Sequence, residues 1–476
     1  MKNFCIILIS SFLILTMILS CNEPKKTIKQ EIDKGGTIEN LERQILKDPK
    51  NSENYVLIAN EYYKKGNFDL AMENYNKAIS LNPSSYVSYH NTGFIYNKSG
   101  RFDKAIESFK KAVEIESNPN KLFDTLSLAN AYKNKKDYDN AIKTYEDVFK
   151  IKSDCHLANE GLGIVYFEKN DINKAKQYLE TAISIKPNMF TAYNNLGRIY
   201  QKEQNYSKAE EYFNKALEFN PEFARAFESI GNIEFEQSKY GKAIENYKSA
   251  LKLDPGLFEA NYKLGKILFI NKKYDKALIY LKRASRINSK QSAELFILLG
   301  KLFMLNGDEY SAENNFKKAL KVDPNQHEAY NLLAIIAQNR KDMELAIKYY
   351  EKAISPDNKD LTTFNNLAIL YNKLGDYDKA VKTLEQVIKL SPDNIAAYLN
   401  LGIVHEKAEK YDLAIKCYQQ VLKINPESTE ALNNIGDSFE AKGDKSRAIE
   451  YYTKALKINP KLYKISTKLQ ALEKKG

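Results

Sequence analysis

Few residues in this chain are of a type and spacing that could do chemistry. The four histidines, His90, His156, His327 and His405, are scattered, and no two fall at the short spacing that gathers a metal. None is spaced for acid–base work either. Cys155 and Cys417 stand too far apart to bridge in an extended fold and read as buried thiols. No glycine-rich phosphate loop and no Gly-x-Ser-x-Gly turn occurs. The sequence therefore predicts no enzyme, no cofactor and no metal. One thiol is placed differently. Cys21 closes the apolar run Phe4–Leu19, which follows a short start carrying Lys2. A basic start, an apolar core and small residues at its end describe an export signal.

What must position any remaining site is a repeated helical hairpin. Phe190–Phe223 shows the unit most regularly. Tyr193, Leu196, Gly197 and Tyr200 make one apolar stripe at helical spacing, and Ala209, Phe213, Ala216 and Leu217 make a second. Between them Gln204–Ser207 is a polar turn, and Pro221 stops the second helix. With a period near 34, copies start at residues 52, 86, 122, 156, 190, 224, 258, 293, 327, 361, 395 and 429. Alanine recurs at the twentieth position, as Ala71, Ala209 and Ala448, and Gly or Ala at the eighth. An aromatic residue or Leu recurs at the twenty-fourth. The period breaks around Asn118–Lys121 and Ser289–Gln291.

The resulting organisation is a signal peptide (1–20), a polar tether (21–36), a partial-repeat helix (37–51), twelve repeats (52–460) and a C-terminal capping helix (461–476). Such caps are what an open-ended stack requires. The repeats resemble the tetratricopeptide repeat family over residues 52–460. The resemblance implies an all-α, right-handed superhelical solenoid whose first helices line a concave groove that binds proteins or extended peptides. Residues Ile18–Cys21 (Ile-Leu-Ser-Cys) resemble the lipobox of bacterial lipoproteins. That likeness implies acylation of Cys21 and attachment in the cell envelope, at the outer membrane or the outer face of the cytoplasmic membrane. The alternative is an uncleaved anchor, since the apolar run is only slightly shorter than the ~20 residues that span a bilayer.

In the tetratricopeptide family, groove residues come from positions two, five, six, nine, twelve and thirteen. Position six is Asn at Asn91 and Asn195, and consecutively at Asn366, Asn400 and Asn434. An amide row can pair with a peptide backbone, or it can bond neighbouring helices. The seventh and eighth copies place Tyr262, Phe269, Ile270, Ile297, Met304 and Leu305 at nominally inward positions, as an exposed apolar patch or as turned core. Two functions remain open. One is a lipid-anchored scaffold binding partner proteins, and the other is an envelope protein holding polysaccharide or peptidoglycan. Lys and Arg exceed Asp and Glu by 11, but the charge reads as spread over solvated helix faces, so nucleic acid is not expected.

Overall fold

Most helices here have 13 or 14 residues, a length that is marginal in water without tertiary packing. Their stability must come from neighbours. The computed structural model describes residues 38–287, 292–354 and 360–474. The apolar run, Cys21, the tether and the period break at Ser289–Gln291 lie outside the described residues. Among the described residues there are 26 α-helices and no strand, the all-α repeat solenoid expected from the sequence. A helix at Ile38–Lys47 precedes the first repeat, and one at Tyr463–Lys474 follows the last.

The chain divides into two compact units. One ends at Ala260 and the other begins at Asn261, so the boundary cuts the first helix of the seventh repeat, Phe258–Ile270. Within each unit every repeat is an antiparallel hairpin that packs on the next. First helices of adjacent repeats also touch directly, as in repeats four and five and in repeats ten and eleven.

One contact recurs from hairpin to hairpin. The side chain at position twenty-four is fully buried in all twelve repeats, and in the eight with Gly at position eight it lies across that glycine. The alanine at position twenty is fully buried in every copy as well. The fit is close. A methyl built on Gly402 would stand 2.3 Å from the Tyr418 ring, and one on Gly197 2.5 Å from that of Phe213.

The turn between the two helices is equally uniform. Position fifteen is left-handed in every repeat, at Gly66, Gly100, Gly307, Gly375 and Gly443 but also at Lys136, Asn170, Gln204, Ser238, Lys272, Lys341 and Glu409. It lets the next N–H reach back into the finished helix, as from Asn67 to the Tyr62 carbonyl at 2.9 Å. The second helix is then often capped by Asp. Asp171 accepts from the Lys174 N–H at 3.2 Å, and Asp444 from that of Arg447 at 3.1 Å.

Two outcomes follow for unfolding midpoints of the full chain. Gly402→Ala overpacks its hairpin and costs about 1–3 kcal/mol. Lys341→Gly relieves a left-handed side chain and stabilises by about 0.5–1 kcal/mol. Reversed signs would contradict the packing and turn geometry described.

Candidate functional site

Position six is where sequence and structure have to be compared side chain by side chain. The tyrosine ring at position twenty-four is buried, so its hydroxyl needs partners beyond its own hairpin core. Tyr350 donates to Gln338 at 3.2 Å and is also bonded by the Asn366 amide of the next repeat. Tyr418 donates to Glu406 at 3.0 Å and is bonded by Asn434. In the first unit Tyr75 does the same with Asn60, at 2.5 Å, and Asn91. Burial raises the pKa of all three hydroxyls, which keeps them protonated. Asn366 and Asn434 therefore hold neighbouring repeats together.

Asn400 differs because the residue sixteen positions before it is Leu384, which has no hydroxyl. It is half-buried, and its amide reaches Asn365 at a long 3.5 Å. Asn195 follows Leu179 in the same way and accepts from Arg198 at 3.4 Å. The deciding signal is one repeat upstream of the asparagine itself.

The apolar residues of the seventh and eighth repeats do not form one exposed patch. Tyr262 and Ile297 are buried, at 9% and 2% exposure. The first helix of the eighth repeat, Ala293–Leu305, is apolar on nearly every side and buries Leu295 through Leu299. The Tyr262 hydroxyl donates to Glu294 at 2.6 Å, and Lys266 pairs with the same carboxylate at 2.5 Å. Burial alone would raise the Glu294 pKa, but these two partners outweigh it and hold it low. Phe269 and Met304 are half-buried. Only Ile270 and Leu305, each the last residue of its helix, are well exposed.

A different apolar track is present that position-by-position scoring of single repeats missed. Ile335, Ile369 and Ile403 occupy position nine in three consecutive repeats of the second unit, and all three are half-buried. Their recurrence at one position was the available signal. Asn365 and Asn400 belong to the same first helices, so apolar surface and amides alternate there. At the C-terminal end the chain's own Lys468 pairs with Asp437 at 2.5 Å and lies 5.6 Å from the centroid of the Tyr452 ring.

Elsewhere the reactive residue types serve packing. His90 contacts the fully buried carboxylate of Asp124, whose other oxygen accepts from Asn118 at 2.7 Å. This pair links repeats two and three across the period break. Rings of Phe94 and Phe123 lie 4.8 and 5.6 Å from the imidazole, so its setting is aromatic. Burial, with Lys186 and Lys152 nearby, depresses the His156 pKa to about 4. Burial lowers that of His405 too and pushes the Cys417 thiol up to about 11, which leaves it un-ionised at neutral pH. Cys155 is also buried. Among the described residues no group of three or more His, Cys, Asp or Glu could hold a metal ion. No helix among them is long and apolar enough to cross a membrane.

The two classes of asparagine separate in a stability measurement. Asn366→Ala and Asn434→Ala each leave a buried tyrosine hydroxyl short of a partner and cost about 1–2 kcal/mol. Asn400→Ala costs less than about 0.5 kcal/mol. Equal losses in urea unfolding would refute the distinction.

Comparison with known proteins agrees with this geometry. Tetratricopeptide repeat models match residues 325–393, 359–427 and 393–461, 190–223, and 86–119, 126–155, 258–291 and 293–326. A TPR repeat model matches 59–100, 163–204 and 231–272. Together they run from residue 59 to 461 with short gaps. No curated protein shows significant similarity to the chain. Among solved structures, the C-terminal part of a TPR repeat-containing protein from Cytophaga hutchinsonii is 21% identical, covering 50% of this chain and 97% of its own, with a TM-score of 0.45. A chain of the APC/C hetero-tetramer Cut9–Hcn1 is 15% identical over 94% of both chains, with a TM-score of 0.41. Yeast Tom70 is 19% identical over 90% of this chain and 96% of its own, with a TM-score of 0.33. With twelve hairpins built on one repeated pattern of buried residues and family models matched along almost their whole length, the chain belongs to the tetratricopeptide repeat family.

Proposed function

We propose that this chain is a non-catalytic, lipid-anchored scaffold of a bacterial cell envelope. It takes protein partners in extended form along the first helices of repeats nine to eleven. The observation that carries the binding reading is the track of Ile335, Ile369 and Ile403 beside Asn365 and Asn400. Half-buried isoleucines at one repeat spacing offer apolar seats, and an amide without a tyrosine to bind can pair with a peptide backbone. The anchor reading rests on the position of Cys21 at the end of the apolar run, and two or more acyl chains there would hold firmly.

Affinity capture from membranes of the native host tests both parts. The intact chain is expected to retain a defined set of proteins, and Ile369→Asp with Ile403→Asp to lose at least one of them more than tenfold. Full retention by that variant would sink the groove assignment. Cys21→Ala is expected to release the chain from membranes and to end lipid labelling. Continued labelling would reject the anchor.

A further inference from the structure

The basic surplus of this chain is not spread evenly. Second helices of the first unit, Phe68–Leu81 through Tyr240–Leu253, carry thirteen Lys or Arg against thirteen Asp or Glu. Those of the second unit, Tyr274–Ile287 through Lys445–Ile458, carry eighteen against nine. That surplus of nine is most of the net +11 of the whole protein.

Its placement is regular. In five of the six repeats of the second unit, position twenty-nine, in the last turn of the second helix, is basic: Arg286, Lys321, Lys389, Lys423 and Lys457. All five are exposed. The next residue is aliphatic each time, and Ile287, Leu390, Ile424 and Ile458 are 40%, 51%, 37% and 42% exposed. A helix C-terminus favours a cation in any repeat. Yet the same place in the first unit holds Ser80, Glu114, Ser184 and Glu218, with Lys only at Lys150 and Lys252. The fold therefore does not demand the basic row.

We propose that this row of helix ends in the second unit docks on an anionic lipid surface. Lys and Arg attract anionic headgroups, and adjacent exposed Ile and Leu suit the boundary between headgroups and acyl chains. That pairing of charge with aliphatic surface favours lipid over a soluble polyanion, which would use the charge alone. The proposal rests on the envelope reading only in that a membrane is within reach, and it is independent of Cys21 and of the isoleucine track.

The test uses the full chain carrying Cys21→Ala, so that no acyl group contributes, and flotation with phosphatidylcholine vesicles. Adding about 30 mol% phosphatidylglycerol is expected to raise partitioning at least tenfold, and roughly 0.5 M salt to cancel the gain. The apolar run is the same in all variants and responds little to headgroup charge. Arg286→Glu combined with Lys321→Glu, Lys389→Glu and Lys423→Glu is expected to abolish the gain. The same four positions changed to Gln serve if the reversed variant misfolds, and are expected to reduce it. Reversing Lys104, Lys143, Lys174 and Lys208 of the first unit is expected to leave it intact. Equal binding to neutral and anionic vesicles would overturn the proposal, as would an equal effect of the first-unit reversals. So would loss of duplex DNA binding in the second-unit variant with vesicle binding unchanged, which would assign the row to a soluble polyanion.

Discussion

The whole architecture depends on one steric fit, the large side chain of a second helix lying over the Gly or Ala of its first helix. Gly163 takes Leu179, Gly300 takes Phe316 and Gly436 takes Tyr452, each so closely that a Cβ would fall within 3 Å of the incoming side chain. Protein interiors tolerate neither gaps nor excess there. Because the fit lies within each hairpin, every repeat closes its own core, and the stack then adds nearest-neighbour interfaces.

The choice of large residue has a consequence beyond packing. Phe and Leu end the requirement at the hairpin, whereas Tyr carries a hydroxyl that has to be satisfied, by its own hairpin at Tyr145 and Tyr247 and with help from the next repeat elsewhere. Tyr350, Tyr418 and Tyr75 recruit Asn366, Asn434 and Asn91 for this. After the last repeat, Tyr452 meets Asp437 at 2.5 Å and Glu440 at 2.8 Å, and Lys468 of the capping helix closes over its ring. Position six is thus a stacking position where Asn follows Tyr, at Asn91, Asn366 and Asn434, and an unassigned one after Leu. The ionic rungs are weaker ties. Lys266–Glu294 and Lys301–Glu328 are partly exposed pairs, and such pairs contribute little to stability.

Much of this was legible in the sequence because it is periodic. Fixed Ala, small residues and Pro at a constant spacing specify two helices and a turn, and the same residues define the core seen in the structure. What a single repeat could not show depends on its neighbours. The role of Asn366 is set by Tyr350, sixteen residues earlier. The burial of Tyr262 and Ile297 is set by a first helix at Ala293–Leu305 that has almost no polar side. The left-handed turn at Lys136 or Glu409 was hidden for another reason. Only five of twelve copies place Gly there, since the turn's backbone bonds tolerate a side chain at modest cost.

These constraints also indicate where such a chain is free to acquire function. Positions eight, twenty and twenty-four are committed to the hairpin, and position six is committed at Asn91, Asn366 and Asn434. Position nine takes the tyrosine hydroxyl at Asn60, Asn130, Asn232 and Asp437, but the isoleucines at Ile335, Ile369 and Ile403 and the ends of the second helices carry no such duty. In the second unit those uncommitted places are not random: the first holds three consecutive isoleucines, and the second a row of cations next to aliphatic residues. In repeats ten and eleven they lie on different helices of the same hairpin. A ligand on the first helices and a surface at the ends of the second would therefore use separate side chains, and either could change without disturbing the fit at Gly402 and Tyr418 that keeps both in place.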